Sequence, residues 1–236
     1  MEKRIVVLKL SGEIFGSKEE RSVEAVHVKN IADQIQQLKD THYFGLVVGG
    51  GNFFRGRKDG QALGIHPASS DYVGMLATVM NGVILQDIFA SVGLNSQLFS
   101  AVECANIAAP YSQQSLRKAM DTRDCIIFAG GTGQPFLTTD TAAVIRAVEM
   151  NARDVWKATK VDGLYTKDPL KHPDAEHIRT MSYHEVIDRE LAVMDTTALT
   201  LAREHDVRIR IFSLFSPRAL VRVATDADYG STITDT

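Results

Sequence analysis

The residues best suited to chemistry in this 236-residue chain are glycines that end short apolar runs, with a few charged side chains beside them. K-L-S-G closes one run at positions 9–12, G-G-G-N another at 49–52, and G-G-T-G a third at 130–133. Glycine at a strand end lets backbone N–H groups crowd around an anion with no Cβ in the way. A helix that follows adds its positive N-terminal end. One such turn is an ordinary tight turn, whereas three in one chain point to a phosphate-rich ligand. The chain contains no G-x-x-x-x-G-K-[ST], no H-R-D or D-F-G, and no clean G-x-G-x-x-G after its first apolar run. Those absences exclude the commonest phosphate-binding fingerprints. Cys104 and Cys125 lie far apart without C-x-x-C or His spacing, which argues against a zinc site or a disulfide framework. None of the seven histidines forms a metal pair at useful spacing.

The elements that position these turns follow from hydrophobic period. Short β-branched or apolar runs at 4–10, 43–48, 96–99, 124–129, 154–158, 208–212 and 231–234 read as strands. Helical spacing spans 23–38, 71–92, 141–150, 195–204 and 216–223, and Ser182 with Glu185 forms a capping-box pattern before another helix. Repeated βα alternation favours a mainly parallel sheet covered by helices on both faces, with ligands beyond the carboxyl ends of the strands. Trp156, within a strand run, reads as core, and His184 and His205, on helices, as surface. With 44% hydrophobic and 23% charged residues, and neither linker nor repeat, the chain reads as one domain over 1–236. A break near Asp154 divides it into halves of about 1–153 and 154–236. The net charge of −3 gives no basic face for nucleic acid. No stretch reads as the roughly 18 apolar residues of a membrane span, and the opening MEKRIVVLKLSGE does not read as a signal peptide. The expectation is a soluble, cytoplasmic globular protein with no membrane partner.

Several of the charged residues admit two readings. Lys9 is either a strand-end lysine snorkelling to water or a phosphate ligand. Arg55, three residues past G-G-G-N, is either a solvated helix arginine or a planar fork folded back over a phosphate. Asp71 and Asp140 each stand at the start of a helix, where an N-cap is the plain alternative. Asp162-Gly163 is a turn signal.

Five segments in order, K-L-S-G-E, G-G-G-N-F-F-R-G, V-G-M-L-A-T-V-M-N-G, G-T-G-Q-P-F-L-T-T-D and K-A-T-K-V-D-G-L-Y-T-K-D-P, resemble the bacterial uridylate kinases of the amino acid kinase superfamily. The resemblance runs from about residue 4 to 234. It implies a three-layer αβα sandwich and transfer of the γ-phosphate of ATP to UMP, within pyrimidine nucleotide (CTP) biosynthesis. By family position, Lys9, Leu10, Ser11, Gly12, Gly51, Arg55, Thr159, Tyr165 and Asp168 contact ATP. Gly50 and Asp71 contact UMP, and Thr132, Gly133, Gln134, Pro135, Phe136, Leu137, Thr138 and Thr139 wrap it. Phe136 lies near the base or, in the plainer reading, packs in the core. Lys9, Arg55 and Asp140 are the expected catalytic groups. A carboxylate beside phosphates is costly unless paired with Lys9 or a metal, so Asp140 is read as orienting the lysine or a Mg²⁺ that accompanies ATP. The resemblance also implies a homohexamer assembled through the 71–92 helix. Two alternatives are a kinase of a carboxylate or carbamate and a non-catalytic pyrimidine sensor. The match departs in the loop at 14–24 and in 82–100, where the family commonly carries basic residues and this chain has no Lys or Arg. That departure implies a weak response to the effector GTP.

Overall fold

The computed structural model describes residues 3–16, 23–167, 169, 171–191 and 193–235. Its nine-stranded sheet has the order β4-β3-β5-β2-β1-β6-β10-β11-β9. The strands are β1 (Arg4–Leu10), β2 (His42–Val48), β3 (Ser96–Ser100), β4 (Ala109–Pro110), β5 (Cys125–Ala129), β6 (Asp154–Thr159), β9 (Thr180–Met181), β10 (Arg208–Ser213) and β11 (Ser231–Ile233). All neighbours pair in parallel except β10 with β11. A separate small antiparallel pair joins β7 (Leu164–Tyr165) to β8 (His177–Ile178). The helices are α1 (Ala25–Leu38), α2 (Gly56–Leu63), α3 (Pro67–Ser91), α4 (Gln113–Met120), α5 (Thr139–Glu149), α6 (Tyr183–Asp188), α7 (Thr196–Glu204) and α8 (Ala219–Thr225).

Period-two alternation sends the two faces of each strand into separate cores. Val6, Leu8 and Leu10 of β1, with Trp156 and Phe212, pack under α1, α3 and α8. Val7, with Val155, Ile209 and Ile211, packs under α4, α5, α6 and α7. Helices on both faces of a mostly parallel sheet make the three-layer αβα sandwich. Lys9 shares the face of Val7, and Lys157 that of Val155, so both lysines point toward α5. They are also direct partners in the β1–β6 ladder. Strand spacing alone thus brings two ammonium-bearing residues about 4.8 Å apart at the backbone.

Three sequence expectations need correction. α3 begins at Pro67, one turn earlier than expected, because proline is favoured at the first helical position and His66 caps it, its Nδ1 accepting from Ala68 N–H at 3.3 Å. Asp71 therefore lies inside the helix and is not its N-cap. Asp140 is not a cap either, since Thr138 caps α5 by accepting from the N–H groups of Asp140 and Thr141. The long α3 also contains an 18-residue window of mean hydropathy 1.5, enough by length and composition to cross a membrane. Met75, Val79, Leu85 and Phe89 of this helix are buried against the sheet. Trp156 is fully buried, and the Ser182–Glu185 capping box is present.

Candidate active site

All three glycine turns lie at the carboxyl ends of the parallel strands, and two of them interlock. A Cβ on Gly12 would sit 2.2 Å from the backbone N of Gly51 and 2.8 Å from the carbonyl carbon of Gly50. No side chain fits there, so the first and second turns can only meet backbone to backbone. Leu10 contributes its carbonyl, which accepts from Gly49 N–H at 2.8 Å, while its side chain is buried in the core. The third turn needs glycine at 130, where φ is +75° and a Cβ would approach Val102 N to 2.7 Å.

Helix α3 fixes both remaining turns. Asn81 donates to Gly49 O at 2.7 Å and pairs reciprocally with Asn52, at 2.7 and 3.1 Å. Both asparagines are buried. Thr78 accepts from Gly130 N–H at 2.6 Å. Two turns further toward the helix N-terminus, Asp71 accepts from Phe136 N–H at 2.8 Å. Phe136 holds a left-handed φ of 69° and is 70% exposed, which rules out its reading as core packing.

At the centre, the carboxylate of Asp140 bridges two lysines. Lys9 Nζ lies 3.0 Å from Oδ1, and Lys157 Nζ lies 2.6 Å from Oδ2. Lys9 also donates to Ser11 Oγ at 3.0 Å, and Lys157 to the carbonyl of Val193. Burial by itself would push the Asp140 carboxyl up, but Lys9 and then Lys157 outweigh it and hold the group below the ordinary carboxylate value. Burial pulls Lys157 below the ordinary lysine value, with Asp140 opposing and Lys9 reinforcing that fall. The trio carries a net charge of +1. Asp195 braces it from α7: as the N-cap it accepts from Ala198 N–H at 2.9 Å, and it also accepts from the hydroxyls of Thr138 and Thr141 on α5.

Two cavities meet at this point. One, of about 590 Å³, is lined by Lys9, Ser11, Gly12, Glu13, Lys157, Thr159, Lys160, Val161 and Gly163, among others. The second, of about 660 Å³, is lined by Asp71, Met75, Thr78, Gly131, Phe136, Leu137 and Thr138, among others. Gly50, Gly51, Arg55 and Thr139 line both. Each volume lies in the range of small-ligand sites. Across the mouth of the first, Glu13 pairs with Arg55 and, at 3.3 Å, with Lys160. Among the described residues, four cations against one lining carboxylate suit a polyanion.

Most of the sequence-predicted residues converge here. Thr132, Gly133, Gln134 and Pro135 line neither cavity; they form a turn beside the second, with Gly133 N–H donating to Gly130 O at 2.9 Å. The Thr138 hydroxyl is engaged by Asp195 and by its capping contacts. Tyr165 also lies outside the lining: its hydroxyl donates to Asp162 at 2.6 Å, which with burial pushes its pKa up to about 12, and its ring meets His177 edge-on. Asp168 lies outside the described residues. Sequence reasoning passed over Lys157, Glu13, Lys160, Asn81 and Asp195. A lysine inside the otherwise buried run D-V-W-K-A-T was the available signal for Lys157.

The amino acid kinase family profile matches residues 4–213. A uridylate kinase of Rickettsia prowazekii is 42% identical over 229 residues, covering 97% of this chain and 94% of that protein. The chain belongs to the uridylate kinases of the amino acid kinase family. A Haemophilus influenzae uridylate kinase is also 42% identical, over 97% of this chain and 96% of its own length. Among solved structures, a UMP kinase from Ureaplasma parvum superposes with a TM-score of 0.93 at 29% identity and full coverage of both chains. One from Bacillus anthracis gives 0.93 at 31% identity, covering 98% of this chain and 96% of the other.

Replacing Asp140 by Asn leaves two buried lysines without their counter-ion, which should cost about 3–5 kcal/mol of stability at neutral pH. Because the Asp140 carboxyl is held below its unfolded value, its contribution is complete above about pH 4 and disappears as pH falls through the lower folded value. Denaturant unfolding of wild type and Asp140→Asn from pH 7 to pH 3 should therefore show a constant gap that closes only at the acidic end. A gap independent of pH would contradict the ion-pair assignment.

Proposed function

We propose that this protein transfers the γ-phosphoryl group of ATP to a phosphate oxygen of UMP, giving ADP and UDP in pyrimidine nucleotide biosynthesis. The observation that carries this reading is the pair of cavities sharing one wall at Gly50, Gly51, Arg55 and Thr139, with Lys9 beside that wall. In this reading ATP occupies the first cavity, which both halves line, with Lys9, Ser11, Gly12, Glu13, Gly49 and Arg55 from 1–153 and Lys157, Thr159, Lys160, Val161 and Gly163 from 154–236. UMP occupies the second, built from residues 1–153, with Asp71 toward the ribose and Phe136 toward the base. Ser11, Gly12, Gly51, Thr159 and Lys160 face the donor. Its triphosphate takes Arg55 and Lys160 over from Glu13.

The acceptor oxygen is mostly deprotonated at neutral pH, because the second phosphate pKa is about 6, so no general base is needed. The bond from the β–γ bridging oxygen to phosphorus breaks, the bond from the acceptor oxygen forms, and ADP leaves with the bridging oxygen. The enzyme's work is to align two polyanions and to stabilise the group in flight. Lys9 and Arg55 touch that group, and Asp140 aims Lys9. Among the described residues no set of three His, Cys, Asp or Glu side chains converges as metal ligands. Asp140 Oδ2 accepts from Lys157, and Oδ1, although it has no hydrogen-bond donor among the described residues, lies within ion-pair distance of Lys9. This donor set does not fit a metal held by the protein itself, so we assign Mg²⁺ to the ATP phosphates.

Helix α3 presents Tyr72, Val73, Leu76 and Met80 to solvent, each at least 39% exposed. That apolar stripe supports a homo-oligomer, a hexamer by family resemblance; the compartment we propose is the cytoplasm. Leu76→Glu should shift the protein to a smaller species in light scattering, and an unchanged mass would count against this face.

Lys9→Ala and Arg55→Ala should each lower kcat about 10²–10³-fold while the fold persists. ADP should form with UMP and not with acetylglutamate, aspartate or carbamate. Turnover on a carboxylate or carbamate would favour the first alternative, and UMP binding without turnover the sensor. GTP titrated at subsaturating ATP should change the initial rate little; several-fold saturable activation would overturn that expectation.

A further inference from the structure

At the opposite end of the sheet, the amino ends of β1, β6 and β10 carry a second concentration of charge. Arg4, Asp154, Arg208 and Arg210 occupy even positions and so share the face of Trp156 and Phe212, under α8. Asp154 is fully buried and serves two arginines: Arg4 Nη2 lies 2.8 Å from Oδ2, and Arg208 Nη2 lies 3.1 Å from Oδ1. Arg210 is 93% buried, since its relative exposure is 7%. Its Nη atoms donate to the carbonyls of Val223, Asp226, Ala227 and Tyr229 at the end of α8. Its Nε is buried and has no hydrogen-bond partner among the described residues.

These three arginines line a cleft of about 300 Å³ together with Thr225 and Thr232, and among the described residues no carboxylate lines it. Three guanidinium groups thus face one buried carboxylate beneath them. Asp226 lies near Arg210 but outside the lining. Burial first, and then the charge of Arg4, pull the Arg210 guanidinium below its ordinary value, with Asp154 opposing and Arg208 adding to the fall. His42, beside Arg4 in the ladder, is kept below its ordinary value by burial and by Arg4, against Asp154, and so does not supply a further proton at neutral pH. Arg4 spends Nε and Nη2 on Asp154, and Arg208 spends Nη2. The planar fork of each still offers donor edges to the cleft.

We propose that this cleft is a second anion site, distinct from the catalytic cavities, that binds a phosphate-bearing anion through the donor edges of Arg4 and Arg208, with the carbonyl-anchored Arg210 adding its charge. Free phosphate or pyrophosphate and the phosphoryl tail of a nucleotide share the required chemistry.

The test is calorimetric titration of inorganic phosphate, pyrophosphate and UTP, each into protein already saturated with UMP and a non-hydrolysable ATP analogue. One additional site is expected, with affinity reduced about tenfold or more in Arg208→Gln, whose side chain is 45% exposed in the native protein. UMP kinase activity should be retained in that variant. Arg4→Gln provides a second, independent reduction if Arg208→Gln fails to fold. Binding of phosphate or pyrophosphate identifies a free anion, and binding of UTP alone a nucleotide tail. No additional site with any probe, or affinity unchanged in both variants, would overturn the proposal. Because binding is read without turnover, its failure is separate from failure of the kinase reading.

Discussion

The carboxylate of Asp140, held between the ammonium groups of Lys9 and Lys157, is the contact on which the rest of the site depends. Parallel pairing of β1 with β6 forces the two lysines side by side, on a face where they would otherwise repel in a poorly hydrated setting. α5 delivers the one group that makes this tolerable, and Thr138 and Asp195 fix where α5 starts. The compensation is incomplete, leaving one positive charge at the junction of two cavities. An incoming phosphoryl group is what that charge can best stabilise, and its water-poor surroundings increase the effect.

Steric constraint complements the electrostatics. The first two glycine turns approach so closely that their backbones, not their side chains, define the wall between the two cavities. α3 then ties the second and third turns together through Asn81 and Thr78, and reaches the second cavity with Asp71. The same helix turns Tyr72, Val73, Leu76 and Met80 outward. A single element thus spans the shared wall, the second cavity and the exposed apolar stripe. At the far end of β6, Asp154 lies only three residues from Lys157, about 10 Å along the strand.

The sequence made the sheet and its three turns legible because strand period and glycine placement are local signals. It also showed that Asp140 needed a cation, since an unpaired carboxylate beside phosphates is too costly to retain. Lys157 escaped notice because a lysine in a buried run is recognised only once its ladder partner is known. α3 starts at Pro67, four residues before the apolar period that begins at 71, and the signal for it is the proline itself at the first helical position. α2 and α4 are short and largely polar on the outside, with too few apolar positions to show a period. The second helix misread, 216–223, begins only at Ala219, after Pro217 and the left-handed Arg218. The Asn52–Asn81 pair is a contact between residues 29 apart, and no local pattern announces it.

The most direct measurement is a crystal structure with UMP and a non-hydrolysable ATP analogue bound together. The account predicts the UMP phosphate beside Arg55, with its nucleoside between Asp71 and Phe136. The terminal phosphate of the analogue should lie against Lys9, with Asp140 still bridging Lys9 and Lys157. A terminal phosphate bound away from Lys9, or an Asp140 that abandons both lysines, would contradict it.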